Sequence, residues 1–129
     1  MPIELDHTIV PSHTQVASAR RLAELLGVPW AERSIGPFSA VHVNDGLTLD
    51  FIQTEDDFPV YHFCFRVDET SFDAILGRIE SAGIAYRSAV RGADDRRVNR
   101  DHGGRMIYWN EPDGHQWEML TVSYARPQR

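Results

Sequence analysis

The sequence predicts a mixed α+β chain made of two similar halves, each a strand, a helix and then several strands. Three observations carry this. An early histidine-bearing segment occurs twice, as Leu5-Asp6-His7-Thr8-Ile9-Val10 and as Val60-Tyr61-His62-Phe63-Cys64-Phe65, with the histidines 55 residues apart. A helical stretch follows each and ends on a glycine, in Leu26-Gly27-Val28 and Ala82-Gly83-Ile84, 56 residues apart. A later segment also recurs, Asp45-Gly46-Leu47-Thr48-Leu49-Asp50-Phe51 against Asp113-Gly114-His115-Gln116-Trp117-Glu118-Met119, and in both a carboxylate follows the turn glycine by four residues. Echoes in the same order are the mark of an internal duplication.

In the first half, alternation and β-branched residues predict a strand over Ile3 to Val10. Ser12 followed by Gln15 has the spacing of a capping box. Val16, Ala19, Leu22, Ala23 and Leu26 recur at helical spacing, and Gly27 with Pro29 stops the helix. Pro37 to Val43 and Leu47 to Gln53 read as strands joined by an Asn44-Asp45-Gly46 turn. Thr54 to Pro59, acidic and proline-ended, is the expected linker between a first module of about 1–55 and a second of about 58–125, the two making one domain.

In the second half, Val60 to Val67 is a strand and Asp68 to Ser71 supplies helix caps. Phe72, Ile75, Leu76 and Ile79 form one apolar stripe that ends at Gly83. A short strand is predicted over Ile84 to Arg87, and two more over Met106 to Asn110 and His115 to Val122, joined by the turn Glu111-Pro112-Asp113-Gly114. Ser88 to Arg105 is a long segment with five arginines, expected to be a solvated surface or a lid that attracts an anionic substrate.

Composition narrows the function. With 129 residues the chain is long enough for a self-sufficient core, and 42% hydrophobic with 25% charged residues is ordinary for a globular protein. A net charge of −6 argues against nucleic acid as a partner. No apolar run suits a membrane span and no signal pattern opens the chain, so the expected location is the cytoplasm. Cys64 is the single cysteine, which excludes an intrachain disulfide and a multi-cysteine zinc site. All 13 basic residues are arginine, and the absence of lysine excludes Schiff-base chemistry and a lysine-dependent phosphate loop.

Sorting strand residues by face isolates the polar ones. Tyr61, Phe63, Phe65 and Val67 share an apolar face, leaving His62, Cys64 and Arg66 opposite. Trp117, Met119 and Thr121 share a face, and Glu118 lies opposite with Gln116 and Leu120. Leu47, Leu49 and Phe51 oppose Thr48, Asp50 and Ile52, while His7 shares its face with Leu5 and Ile9. If the halves are related by a pseudo-twofold axis, His7, Asp50, His62 and Glu118 surround one concave sheet. Two imidazoles with one or two carboxylates suit a divalent metal such as Fe(II), Mn(II), Ni(II) or Zn(II). Open positions on such an ion bind substrate directly. Taken singly, each histidine reads as structural and Glu118 as a solvated strand carboxylate. Cys64 reads as a small buried apolar residue, and His115 as part of the turn.

These segments, with Tyr61-His62-Phe63 and Glu111-Pro112-Asp113-Gly114-His115-Gln116-Trp117-Glu118, resemble the vicinal oxygen chelate superfamily over nearly the whole chain. That superfamily includes glyoxalase I, extradiol dioxygenases, fosfomycin-resistance transferases and bleomycin-binding proteins. The resemblance implies an α+β fold of two βαβββ modules forming an open cup. It implies metal ligands at His7, His62 and Glu118, with Asp50 near the fourth ligand position of glyoxalase I, bound directly or through water. It also implies a homodimer, with each cup completed within one chain or by modules exchanged between chains.

Tyr108, ten residues before Glu118, has the offset of a substrate-contacting tyrosine in extradiol dioxygenases and fosfomycin transferases. The potassium loop of the latter has no counterpart at His102-Gly103-Gly104-Arg105. Length and the His7-Thr8-Ile9-Val10 start are similar to the small dioxygenase-like proteins of aromatic polyketide pathways, of the chartreusin type. The leading expectation is an Fe(II)- or Mn(II)-dependent oxygenase for a catechol-like or other bidentate oxygen substrate, with Tyr108 orienting it and His102 as candidate base. The alternatives are a glyoxalase-type lyase or isomerase and a metal-free, drug-sequestering binding protein.

Overall fold

The computed structural model describes residues 3–126 and divides into two compact units, one ending at Pro59 and the other starting at Val60. The first runs β1 (His7–Ser12), α1 (Gln15–Leu26), β2 (Trp30–Ala31), β3 (Ser39–Asn44) and β4 (Leu47–Gln53). Its sheet has the order β1-β4-β3-β2, with β1 parallel to β4 and the other pairs antiparallel. Val10, Val41, Leu49 and Phe51 are buried with Ala19, Leu22 and Ala23 of α1. This helix buries one side of the sheet because its apolar positions recur at helical spacing while those of the strands alternate. Gly27 ends α1 at φ 72°, a backbone state in which a side chain is strained.

Ser12 and Gln15 do not form the expected capping box. Ser12 belongs to β1, fully buried, and its hydroxyl accepts the Thr14 N–H at 2.9 Å. Gln15 instead forms a reciprocal clasp with Gln53, donating its N–H to Oε1 at 2.8 Å while its own Oε1 accepts the Gln53 N–H at 2.7 Å. A partner across the sheet supplies what a local cap offers elsewhere. The first strand also lies later than its alternation predicts, at His7–Ser12, because it takes its register from β4, His7 facing Thr48 through Ser12 facing Gln53.

The second unit runs β5 (His62–Arg66), α2 (Glu69–Ser81), β6 (Met106–Asn110) and β7 (Gln116–Leu120), with sheet order β5-β7-β6 and β5 parallel to β7. Asp68 caps α2, its Oδ1 accepting the Ser71 N–H at 2.7 Å. Phe72, Ile75 and Ile79 bury the helical stripe, and Trp117 stacks on Phe63 and Phe65 at 5.0 and 5.9 Å between ring centres. The strand expected at Ile84 to Arg87 is reduced to a bridge, Arg87 with Tyr108, and Asn99 bridges Met106 at the other end of the β6 edge.

Between those bridges the arginine-rich segment is tied down. The Asp95 carboxylate accepts from the Ser88 N–H and hydroxyl at 3.0 and 2.6 Å and from the Arg97 N–H at 3.1 Å. These bonds, led by the Ser88 hydroxyl, hold its carboxyl below the usual range. Arg105 is bound to α2, 2.6 Å from Glu69, 2.7 Å from Asp73 and 4.4 Å over the Phe72 ring. A Cβ on Gly104 would come within 2.5 Å of Thr121 Oγ1 and 2.7 Å of Val122, so only glycine permits this approach.

Candidate metal centre

In the second unit, Glu118 faces Cys64 across the parallel pair and Tyr108 across the antiparallel pair, and Gln116 faces His62 and Asn110 in the neighbouring row. All six project from the sheet face opposite Trp117. The Glu118 carboxylate is fully buried, with Oε1 3.0 Å from His62 Nε2. Buried carboxylates are rare without compensation. Here both oxygens also accept from the Tyr124 hydroxyl, at 2.9 and 2.8 Å. The Cys64 thiol and the Tyr108 hydroxyl lie against the same carboxylate.

The surroundings of Glu118 therefore retain protons. Burial and then Glu118 push the Cys64 thiol up to about 12, and the same causes raise Tyr108. Tyr124 is raised too, first by burial and then by its bond to Glu118. Cys64 corrects the expectation of a buried apolar residue: as a residue it is exposed, and it lies on the polar face with its thiol sheltered beside Glu118, where alternation had put it. Its thiol is protonated at neutral pH and is no nucleophile. His115, by contrast, is buried structure, with Nδ1 accepting the Tyr61 N–H at 3.0 Å and its ring stacked on Tyr61.

The His62–Glu118 pair has the geometry of neighbouring metal ligands. Bonds of about 2.0–2.2 Å to one ion, set about a right angle apart, leave the two donor atoms about 3 Å from each other. His62 Nδ1 is 2.7 Å from Gln116 Oε1, which directs Nε2 toward the carboxylate. Among the described residues no three His, Cys, Asp or Glu side chains form a group able to hold a metal ion. The second unit supplies a fitting pair, and a third donor is required.

In the first unit, His7 and Asp50 share a sheet face. His7 faces Thr48, which faces His42, and Asp50 sits in the next row opposite Ile9 and Ala40. His7 Nδ1 lies 2.7 Å from Asp6, and its pKa is raised by that bond, with smaller help from the charges of Asp6 and Asp50. With Nδ1 engaged, Nε2 of this exposed imidazole is the edge left for a ligand. His42, to which the sequence assigns no role, hydrogen-bonds Thr48 at 3.2 Å on this face.

Matched along its length, the chain is 38% identical to a solved protein named Oxidase ChaP-H2, at a TM-score of 0.90 over 97% of this chain and 98% of that one. The chain belongs to the vicinal oxygen chelate superfamily. Oxidase ChaP-H1 is similar to the same degree, 37% identical with a TM-score of 0.89, covering 97% and 100% of the two chains. More distant superfamily members share the fold alone, among them the fosfomycin resistance protein FosX from Mesorhizobium loti, 19% identical with a TM-score of 0.69 over 96% of each chain. No protein-family model matches the chain, and no curated protein matches its sequence. The fold is the α+β fold of glyoxalase-type proteins, and these two relatives, each sharing more than a third of its residues, are both named as oxidases. Among the described residues, no helix is long and apolar enough to cross a membrane.

Two residues at this site lie outside the expected set. Gln116 was legible as sharing the face of Glu118, but its role depends on a contact made by the arginine-rich segment. Tyr124 lies beyond the last strand, where no periodicity assigns a direction. His102, the expected base, packs against Tyr124, with the two rings 5.2 Å apart.

Proposed function

We propose that this protein is a divalent-metal-dependent oxygenase of the vicinal oxygen chelate superfamily, acting on a catechol-like or other bidentate oxygen substrate, with Fe(II) or Mn(II) as the metal. The observation that carries this is the buried Glu118 carboxylate 3.0 Å from an imidazole nitrogen, in a chain more than a third identical to two proteins named as oxidases. His62 and Glu118 are two of the ligands, and the family pattern assigns the third to His7 and an outer or direct contact to Asp50. When bound, the ion supplies Lewis acidity and a seat for two substrate oxygens.

The chain's own residues supply the rest. Tyr108, buried and protonated, offers a hydroxyl donor that orients a substrate oxygen beside Glu118. Tyr124 donates to Glu118 and holds its carboxylate in place. His102, exposed and packed near Tyr124, would serve as the base by taking a proton relayed through that phenol. The unpaired thiol of a single cysteine suits a reducing compartment, the cytoplasm. Leu5 and Ile9, 67% and 51% exposed beside His7, are an apolar strip suited to cover by a second copy, in keeping with a homodimer.

Metal analysis of protein purified without chelators, followed by O₂ uptake with Fe(II) and a panel of catechols, tests this reading. Stoichiometric metal and catechol-dependent O₂ uptake are expected. Turnover of the methylglyoxal–glutathione adduct with Ni(II), in place of O₂ uptake, would turn the assignment to a lyase. Failure to retain or bind any divalent metal would leave a binding protein. A monomer by sedimentation would remove the homodimer.

A further inference from the structure

Gln116 is half-buried on β7, facing His62 on β5. Its two amide ends do different work. Nε2 donates to the Val90 carbonyl at 2.7 Å, and Oε1 lies 2.7 Å from His62 Nδ1. A carbonyl oxygen only accepts, so Val90 fixes which end of the amide is the N–H₂. The other end is then an acceptor, and His62 Nδ1 must be the donor. The Val90 carbonyl is itself held by the Arg87 guanidinium, which donates to it at 3.1 Å and sits 3.2 Å from Asp94. Arg87 is 9% exposed, so this anchor is part of the packed structure.

We propose that Gln116 is the positioning residue for His62. A relay from Arg87 through the Val90 carbonyl and the Gln116 amide keeps the proton on Nδ1 and presents Nε2 as the metal-binding atom beside Glu118. The inference rests on the metal-centre reading and deepens it. It gives the segment after Arg87 a function distinct from attracting an anionic substrate: its backbone sets the orientation of a ligand. In the first unit the residue facing His7 at the same register is Thr48, whose hydroxyl meets His42 instead.

The test uses the full chain and Zn(II) alone as probe. Gln116→Leu keeps the bulk of the side chain and loses both polar ends. It is expected to weaken Zn(II) binding by about 10–100-fold, the range seen when an outer hydrogen-bond partner of a metal histidine is lost. Gln116→Glu keeps the acceptor toward Nδ1 but cannot donate to the Val90 carbonyl, and is expected to recover part of that loss. Arg87→Met, which frees the Val90 carbonyl, is expected to fall between wild type and Gln116→Leu. In parallel, ¹⁵N NMR of the imidazole is expected to show an Nδ1–H resonance for His62 in the wild type that Gln116→Leu loses. Zn(II) affinity of Gln116→Leu within about threefold of wild type, or an unchanged Nδ1–H signal, overturns the proposal. If wild type binds no Zn(II), the metal-centre reading fails, and the NMR comparison on the metal-free protein decides the positioning role alone. If Gln116→Leu lowers the melting temperature as well, rescue by Gln116→Glu separates lost positioning from lost packing, and absence of any rescue overturns the positioning role; wild-type affinity in Arg87→Met overturns the relay.

Discussion

In both units a histidine sits two residues before the strand position that faces a carboxylate on the last strand: His7 before Ile9, opposite Asp50, and His62 before Cys64, opposite Glu118. The duplication therefore extends from sequence to register. What differs is the company each pair keeps. Glu118 is flanked by Tyr108, whereas the equivalent neighbour of Asp50 is Ala40. Tyr124 adds a second phenol to Glu118 from beyond the strand. Bulk and hydroxyl donors make the second carboxylate a buried, bonded group, while Asp50 stays half-exposed. Register thus places donors, and neighbouring side-chain size decides whether they become an organised pair.

Neutralising the two carboxylates one at a time puts this difference to its hardest test. Glu118→Gln keeps shape and removes charge, and divalent-metal affinity is expected to fall by about two orders of magnitude or more. Asp50→Asn is expected to cost less than about tenfold, in line with its half-open setting. Titration of both variants with Mn(II) and Zn(II) measures this, and equal losses would mean that Asp50 is as much a ligand as Glu118.

Arginine ion pairs provide a second contrast. Arg105 contacts Glu69 and Asp73 and covers Phe72 with its own side chain only 16% exposed, while Arg20 pairs with Glu24 on an open helix face. Arg105→Ala is expected to destabilise by about 1–2 kcal/mol, since packing and a cation–π contact add to the ion pairs. Arg20→Ala is expected to cost about 0.3–0.5 kcal/mol, the value of an exposed i,i+4 pair. Urea unfolding of the two variants checks the ranking.

Much of this was legible before the fold. Asn44-Asp45-Gly46 and Leu47 to Gln53 lie where turn chemistry and alternation put them, with the Asn44 side chain accepting the Gly46 N–H at 2.8 Å. The faces of Glu118 and His62 followed from a period of two. What was not legible depends on partners distant in sequence. Ser12 and Gln15 have capping-box spacing, but Gln53 competes for Gln15. The Ile84 to Arg87 strand shrinks to a bridge because the chain leaves the sheet after Arg87 to form the Asp95-centred loop. Cys64 reads as a small buried residue by type, and although alternation puts it on the polar face, only its register with Glu118 shows the carboxylate its thiol lies beside. Tyr124 and the Val90–Gln116 contact arise from irregular segments, which carry no periodic signal.

The turns leading into the carboxylate strands also differ. The Asn44–Gly46 turn is mostly exposed, whereas Glu111 is half-buried in its turn, and burial, then the Asp113 charge, raises its carboxyl from 4.5 to about 7. A carboxyl raised on folding binds its proton more tightly in the folded state. Its stabilising contribution is complete below about pH 4.5 and is lost as pH climbs through about 7. Glu111→Gln removes that loss, and its Oε1 can still accept the His115 N–H, a bond now 3.0 Å long. The variant's melting temperature relative to wild type is expected to be a few degrees more favourable at pH 8 than at pH 5. A difference independent of pH would mean that Glu111 does not titrate in this window.

The least change is expected at the partner of the other candidate ligand histidine, His7. Asp6 engages His7 Nδ1 as Gln116 engages His62 Nδ1, but the Asp6 side chain is 89% exposed, whereas Gln116 is anchored on the Val90 carbonyl. Solvent can replace an exposed acceptor at little cost, whereas the half-buried amide has no such substitute. Asp6→Asn is therefore expected to weaken divalent-metal binding by less than about threefold, against the 10–100-fold expected for Gln116→Leu. A comparable loss from both would show that the two imidazoles are equally dependent on their partners when the metal is bound, and that the open appearance of the first unit does not persist in that state.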